Sequence, residues 1–356
     1  FMEICAPEHV LTLSELESMF EEEFNYKAEA DNLTLIHKNM TEAKFVPQVA
    51  IVPLPRKELC TTRVLVMDLL PGRKLLDGLR EFVAIVAEKE GRTVEEFEKT
   101  ITEKIERGGL PAIYEGPSEL TISLYKQYLQ AYDLTYNILY GWWFGTPSNS
   151  KLPINTPALV EKIMAIHAVQ LFKNGVFNAD PHAGNFMLLD DDRIGLIDFG
   201  ATKKLTRGER LLACAMYVAL QRRDKEMIKQ ICMNSGFKSK YMKMENIFSL
   251  CEFGFDSFGK DVTGGKNVQQ FTDDLYRNDP WEEAAGNLVM AQFLSIRLRS
   301  MMMQMGHPVR CSHYWGDYAA KILKEEGVPY ETWSGELVTE LIKDDLRIVS
   351  SKGSLY

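Results

Sequence analysis

The chain has 356 residues, enough for one large domain or two smaller ones around a sizeable core. Hydrophobic residues make up 46% and charged residues 26%, ordinary values for a globular protein, while a net charge of −9 argues against a broad nucleic-acid surface. No apolar run reaches the ~18 residues that a spanning helix needs. The six cysteines are scattered, without Cys-x-x-Cys or zinc-type His spacing, and read as reduced, mostly buried thiols of an intracellular compartment.

The first predicted element is a helix from about Ser14 to Met40, with Ser14 and Glu17 in capping-box spacing. Two strand-like runs follow, Val46–Val52 and Thr62–Leu69, separated by PLPRKEL. The second ends at Leu70-Pro71-Gly72, a turn that reads as a hinge between a small and a large lobe. Residues 78–155 form a separate section. Thr93 and Glu96 make a second capping box, opening a helix that ends near Gly108-Gly109. A longer helix, from about Ser118 to Leu139, places Tyr125, Tyr128, Tyr132, Tyr136 and Tyr140 on one face and leads into Gly141-Trp142-Trp143-Phe144-Gly145. The expectation is an aromatic stripe packed on the large lobe with its hydroxyls at the rim. The alternative is a half-wet patch facing lipid or quinone.

The next helix starts at Thr156-Pro157 and ends at Asn174-Gly175. Val160, Ile163, Ile166, His167 and Leu171 share its inner face, and His167 reads as a satisfied core histidine. The helix delivers the chain into VFNADPHAGNFMLLDDDRIGLIDFGATKKL, residues 176–205. There Asp180 is followed five residues on by Asn185 and thirteen later by Asp198, which opens an Asp-Phe-Gly triplet. Phe186–Leu189 and Ile194–Ile197 flank the turn formers Asp190, Asp191, Asp192 and Arg193, so a hairpin would fold Asp198 back beside Asn185. Protein-kinase-like enzymes arrange a catalytic base and two magnesium ligands this way. Asp180 would accept a hydroxyl proton or orient the nucleophile. Asn185 and Asp198 offer hard oxygens for Mg2+ bridging the phosphates of ATP. His182 either orients Asp180, contacts phosphate or braces its loop, and Lys203 and Lys204 read as solvated.

Amphipathic helices are expected at 207–222, 224–235 and 281–304, directly after Gly200. That leaves no room for the long segment, closing in Ala-Pro-Glu, on which ordinary kinases hold a peptide. Leu211–Leu220 reads as a core helix, and Met301, Met302, Met303 and Met305 as adaptable core filler.

The segment ADPHAGNFMLL…IGLIDFGATKKL resembles the UbiB family of atypical kinases, which are linked to quinone and isoprenoid-lipid metabolism. The family's segment usually reads His-Ala-Asp-Pro-His-Pro-Gly-Asn, followed by Asp-Phe-Gly. Here Asn178 replaces the first His and Ala183 the second Pro, and neither is a metal ligand. The family's small-lobe helix carries Glu-x-Asp, then Arg-Glu-Ala and Asn. Here these read Glu23-Phe24-Asn25, Ala28-Glu29-Ala30 and Asn32, so Glu23 and Glu29 match while the second acid has become Asn25. The resemblance implies that Glu29 pairs with a strand lysine holding the nucleotide phosphates and that Glu23 engages a Lys-x-Gly-Gln element. It also implies that Val64–Gly72 is the hinge, with Met67 and Leu69 against the nucleotide. The match covers roughly 15–75 and 156–235. The Lys-x-Gly-Gln element, the alanine-rich loop and the lysine strand should precede the first helix and are not found, so the sequence is expected to be the C-terminal part of a longer protein, the alternative being a degenerate member that lacks half its nucleotide clamp.

The fold so implied is α+β and protein-kinase-like, with two lobes. Residues 1–75 would be a truncated small lobe, 76–155 an inserted helical section, and 156–356 a mostly helical large lobe. The implied activity is that of a magnesium-dependent ATP phosphotransferase or ATPase. A prenyl lipid or quinone ligand and peripheral attachment to a mitochondrial or chloroplast membrane follow from the resemblance alone. Two alternatives stay open. One is a small-molecule kinase of the aminoglycoside or choline type, which shares the Asp, Asn and second Asp at similar spacing. The other is a non-catalytic lipid or protein scaffold on a pseudokinase fold.

Overall fold

In the computed structural model, which describes residues 25–89, 91–108, 119–148, 154–189, 191 and 193–352, the first helix is α1 (Tyr26–Glu42). It starts at a cap: the Asn25 side chain accepts from the Ala28 amide at 3.2 Å, and its own backbone is non-helical. A helix running unbroken from Ser14 is therefore corrected at residue 25. Ser14, Glu17 and Glu23 lie outside the described residues. Glu29, Ala30, Leu33, Ile36 and Met40 form the buried stripe of α1, at the three-to-four spacing of one helix face.

Both early strands shrink. Of Val46–Val52 only β1 (Ala50–Ile51) is a strand, and Thr62–Leu69 yields none. Pro53 and Pro55 have no amide to donate, so a ladder cannot run through them. Two rungs remain, Arg56 N to Val66 O at 2.8 Å and Asp68 N to Leu54 O at 3.1 Å, with an Arg56–Asp68 ion pair at 2.7 Å beside them. The main sheet is assembled from distant pieces. β2 (Arg73–Lys74) pairs antiparallel with β4 (Phe186–Leu188), β4 with β5 (Ile194–Leu196), and β5 runs parallel to β1. A second ladder, between β3 (Val176–Asn178) and β6 (Thr202–Lys204), sets Asn178 opposite Thr202.

The expected hairpin is present, with Phe186 opposite Leu196 and Leu188 opposite Ile194. Arg193 closes its turn by donating from Nε to Asp191 (2.7 Å) and from Nη1 to the Pro47 carbonyl (3.1 Å). That guanidinium holds the Asp191 carboxyl below its usual range. Gly195 is required in β5, because a Cβ there would stand 2.8 Å from Leu70 Cδ1 and 2.9 Å from Met187 Cβ.

Helix α2 (Leu75–Lys89) lays Leu75 and Leu79 into the core with Leu188. Helix α3 (Val94–Gly108) opens with the expected capping box: Glu96 N donates to Thr93 Oγ1 and Thr93 N to Glu96 Oε2. Helix α4 (Glu119–Tyr136) continues through a π-helical turn, Asn137–Gly141, to Trp142–Phe144. Its tyrosines form a ladder with successive ring centroids 6.1 to 6.5 Å apart. They do not pack on the body as expected. Tyr125, Tyr128, Tyr132 and Tyr140 are exposed, and Trp143 is 86% exposed. Ile122, Ser123 and Lys126 of α4 line a cleft with Asn155, Ala158, Leu159 and Lys162.

Helix α5 (Thr156–Ala168) is capped by Asn155, one residue earlier than expected, and runs through a π-helical turn to Gly175 at φ +63°. His167 is buried in it, bonded through Nδ1 to the Ile163 carbonyl at 2.8 Å. Helix α6 (Arg207–Arg222) starts at a Thr206–Glu209 capping box and is buried throughout Leu211–Leu220. Helix α7 (Lys225–Asn234) is capped by Asp224, and α8 (Met244–Cys251) and α9 (Val268–Asn278) follow. The helix expected from Trp281 begins only at Val289. Trp281–Glu283 is instead a strand, β8, paired with β7 (Lys238–Ser239). Buried Asp279 forces this, accepting from Ser239 Oγ and from the Tyr241 and Lys243 amides, all at 2.8 Å.

Helix α10 (Val289–Gln304) is pinned by Arg299, which is buried, donates to the Phe253 and Gly254 carbonyls and lies 3.9 Å over the Phe258 ring. Met301, Met302 and Met305 fill the core as expected, while Met303 is exposed. Helix α11 (Cys311–Glu325) places Trp315 between Phe172 and Tyr217 and donates its Nε1–H to the Met164 carbonyl at 2.9 Å. Helix α12 (Gly335–Lys352) ends the described chain. Among the described residues no helix is long and apolar enough to cross a membrane. Cys60, Cys214, Cys232, Cys251 and Cys311 are free thiols, all but Cys60 buried.

Candidate functional site

Asp180 follows β3, Asn185 precedes β4 and Asp198 follows β5, so one hairpin and one short ladder carry all three. Hydrogen bonds join them. Asn185 Nδ2 donates to the Asp180 carbonyl at 3.1 Å, and the Ile197 amide, beside Asp198, donates to the Asn185 carbonyl at 3.2 Å. Asn178 completes the link. Its Oδ1 accepts from the Asp180 amide at 2.8 Å, and its Nδ2 donates to the Asp198 carbonyl at 3.0 Å. The sequence reading had treated Asn178 only as a replaced histidine. The available signal was a polar residue inside an apolar strand, which once buried must be hydrogen-bonded.

With Nδ2 engaged, Asn185 has Oδ1 left for a cation. Asp198 spends Oδ1 on the Gly200 amide at 3.0 Å, which leaves its other oxygen. Two hard oxygens suit Mg2+, which takes one or two protein ligands and completes its shell with phosphates and water. No group of three His, Cys, Asp or Glu side chains among the described residues offers a ready-made cage for another ion. Asp180 is part exposed, yet its Oδ1 is sealed from solvent and accepts no hydrogen bond. The nearest cation to it is Arg297 on α10, with Nε at 3.4 Å. His182 braces the loop, accepting from the Gly184 amide at its Nδ1.

The Asp-Phe-Gly backbone is held from α1. Glu29, buried, accepts from the Phe199 amide at 3.3 Å, and Asn32 Nδ2 donates to the Phe199 carbonyl at 3.1 Å. Asn32 lies three residues from Glu29 and therefore on the same helix face. Met67 is half-buried at the Pro55 bridge, whereas Leu69 is 92% exposed. Glu23 lies outside the described residues. The long helix gives His167 the environment expected of a core residue, and burial pushes its imidazole down to about 4.

The ABC1 atypical kinase-like domain matches residues 3–82 and 87–232 of the chain. An uncharacterized protein in the hydrogenase 1 5′ region of Clostridium pasteurianum is 22% identical over 154 residues, which are 43% of this chain and 28% of that protein. Among solved structures, the complex of Rv3197 with erythromycin from Mycobacterium tuberculosis aligns at a TM-score of 0.44 and 14% identity, over 92% of this chain and 63% of that one. The chain thus spans little more than a quarter of the clostridial relative and under two thirds of the mycobacterial protein.

Proposed function

Because this chain belongs to the family of ABC1 atypical kinase-like domains, we propose that it is a UbiB-type ATP phosphotransferase or ATPase that works with magnesium. The observation that carries this reading is the bonded set Asn178–Asp180–Asn185–Asp198, which leaves an oxygen of Asn185, an oxygen of Asp198 and the Asp180 carboxylate unspent on the protein backbone. In this reading Asp180 orients the attacking hydroxyl and takes its proton. Asn185 and Asp198 would hold the metal, which when bound bridges the nucleotide phosphates and offsets their charge. Glu29 and Asn32 fix the peptide that presents Asp198. Met67, half-buried at the Pro55 bridge, would touch the nucleotide, and exposed Leu69 would contribute only at the rim.

The acceptor in this reading is a small molecule or lipid, because only residues 201–205 separate Gly200 from the cap of α6. A prenyl lipid or quinone, presented at an organelle membrane, agrees with the exposed tyrosine ladder and the Trp142-Trp143-Phe144 tip.

The test is thermal unfolding with magnesium-ATP and magnesium-ADP, for the chain and for Asp198→Asn. A ligand at a hundred times its Kd adds about 2.7 kcal/mol to stability. The expected result is a magnesium-dependent shift that Asp198→Asn abolishes. No shift in the parent chain at millimolar nucleotide would overturn the reading.

A further inference from the structure

We propose that Arg297 is an arginine finger supplied in cis, gripping the phosphoryl group as it passes to the nucleophile held by Asp180. The proposal rests on the nucleotide reading above and adds a residue that neither the motif nor its spacing indicates.

Four observations carry it. Arg297 Nε stands 3.4 Å from Asp180 Oδ1, an oxygen that is buried and accepts no hydrogen bond. The contact is electrostatic, too long to satisfy that oxygen. The Arg297 side chain is 53% exposed, and among the described residues its two terminal nitrogens have no acceptor. With Nε–H turned toward Asp180, the four N–H groups on its two Nη nitrogens are left without a protein partner among the described residues.

The post that carries this arm is rigid. Arg299, two residues on and so on the opposite side of α10, is buried and tied to the Phe253 and Gly254 carbonyls. Ser295, two residues earlier, donates to the Phe255 carbonyl at 2.5 Å. Leu294, Leu298 and Met301 are buried along the same helix. Preorganised charge of this kind is what stabilises a transition state without reorganisation at the moment of reaction.

Reach supports the assignment. A base lies about 2.6–3.2 Å from the hydroxyl it serves, and the attacked atom stands about 3–3.5 Å beyond that oxygen in a near-attack geometry. A guanidinium already beside Asp180 needs only rotation of its side chain to meet the equatorial oxygens of the phosphoryl group. Its planar fork matches two such oxygens. His182 Nδ1 accepts from the Gly184 amide, and no ion pair to Asp180 other than that of Arg297 is found among the described residues.

The step is balanced. The nucleophile oxygen forms a bond to the γ-phosphorus as the bond from that phosphorus to the bridging oxygen of ADP breaks. ADP leaves with the electron pair, and the hydroxyl proton passes to Asp180. Arg297 remains protonated throughout and moves only from the carboxylate toward the phosphoryl oxygens.

The competing account is a surface ion pair, which contributes about 0–1 kcal/mol and has no part in chemistry. The experiment compares the parent chain with Arg297→Ala, Arg297→Lys and a remote control, Arg222→Ala. Each is measured for thermal stabilisation by magnesium-ADP, with and without aluminium fluoride as a mimic of the phosphoryl group in transit, and for kcat and KM of ATP hydrolysis. In the parent, aluminium fluoride should add a further shift. Arg297→Ala should keep the magnesium-ADP shift, lose the further shift and lower kcat on the order of 10³-fold, the low end for an arginine finger. Its KM should stay within about threefold, as for an interaction made only in the transition state. Arg297→Lys should fall between, and guanidinium in solution should partly rescue Arg297→Ala. An Arg297→Ala chain that keeps the aluminium fluoride shift and its kcat overturns the proposal and leaves the nucleotide reading standing. So does one that loses the magnesium-ADP shift in equal measure, since that is a ground-state or structural role. A parent chain with no magnesium-ADP shift overturns both.

Discussion

Replacing Asn178 should uncouple the two acidic residues of the site and destabilise the fold together. Asn178 is buried and makes two hydrogen bonds, a local one from the Asp180 amide at 2.8 Å and a long-range one to the Asp198 carbonyl at 3.0 Å. Asn178→Ala strands one buried donor and one buried acceptor. Each unsatisfied group costs about 1–3 kcal/mol, so the expected loss is roughly 2–4 kcal/mol after some relief by entering water. Asn178→Asp keeps the acceptor but turns a carboxylate oxygen toward the Asp198 carbonyl, and should lose at least as much. The assay is urea unfolding followed by tryptophan fluorescence, since Trp315 is buried in the core, together with the magnesium-ADP thermal shift. A lower midpoint at unchanged slope is the expected signature. If Asn178→Ala shifts stability by less than about 0.5 kcal/mol, within the range of an ordinary surface substitution, the two bonds do not hold the site together and the reasoning fails.

Two further outcomes are expected. His167 is held down to about 4 by burial, against 6.5 in an unfolded chain, so between those values the unfolded state binds a proton that the folded state refuses. Stability from this residue is full above pH 6.5 and falls by about 3 kcal/mol as pH drops to 4. His167→Leu should flatten that acid limb in urea midpoints measured from pH 7 to pH 4, and an unchanged limb would clear His167 of the effect. Trp142→Ser with Trp143→Ser should sharply reduce co-flotation with phospholipid vesicles, because both rings are exposed at the end of α4. A folded double variant that floats as well as the parent removes the lipid-contact reading.

Local chemistry made much of this chain legible. The Thr93–Glu96 box, the Pro157 start, the Gly175 stop and the 186–196 hairpin are decided within a few residues, and the structure has each within a residue of its expected place. Leu211–Leu220 is apolar on every side, which leaves a helix nowhere to sit but the core. What was misread was decided at long range. Trp281–Glu283 is periodic enough for a helix, but Asp279 is claimed by Ser239, Tyr241 and Lys243, some forty residues earlier in the chain, and that bond set lays the segment beside β7. The tyrosines are periodic as expected, yet periodicity gives a face and not its neighbour, and this face is left exposed. In the site, Asp180, Asn185 and Asp198 stand in a readable spacing. Arg297 lies ninety-nine residues beyond Asp198 on an unremarkable helix face, and only the packing of α10 brings it to Asp180.

The clasp on Phe199 gives the early helix a say in the chemistry. Its amide is taken by Glu29, and its carbonyl receives both Asn32 Nδ2 at 3.1 Å and Thr202 Oγ1 at 2.7 Å. The residue before it, Asp198, has its carbonyl held by Asn178. Consecutive peptides are thus anchored from α1 on one side and from the β3–β6 ladder on the other, so the Asp198 carboxylate is aimed by its backbone and needs only the Gly200 amide to fix it. A carboxylate aimed in this way is ready for a cation without losing rotamer freedom on binding. It also follows that a displacement of α1 cannot leave the Asp198 carboxylate where it is. Conversely, any ligand that held Asp198 would stiffen α1. That reciprocity is a thermodynamic requirement wherever two sites share one clasp.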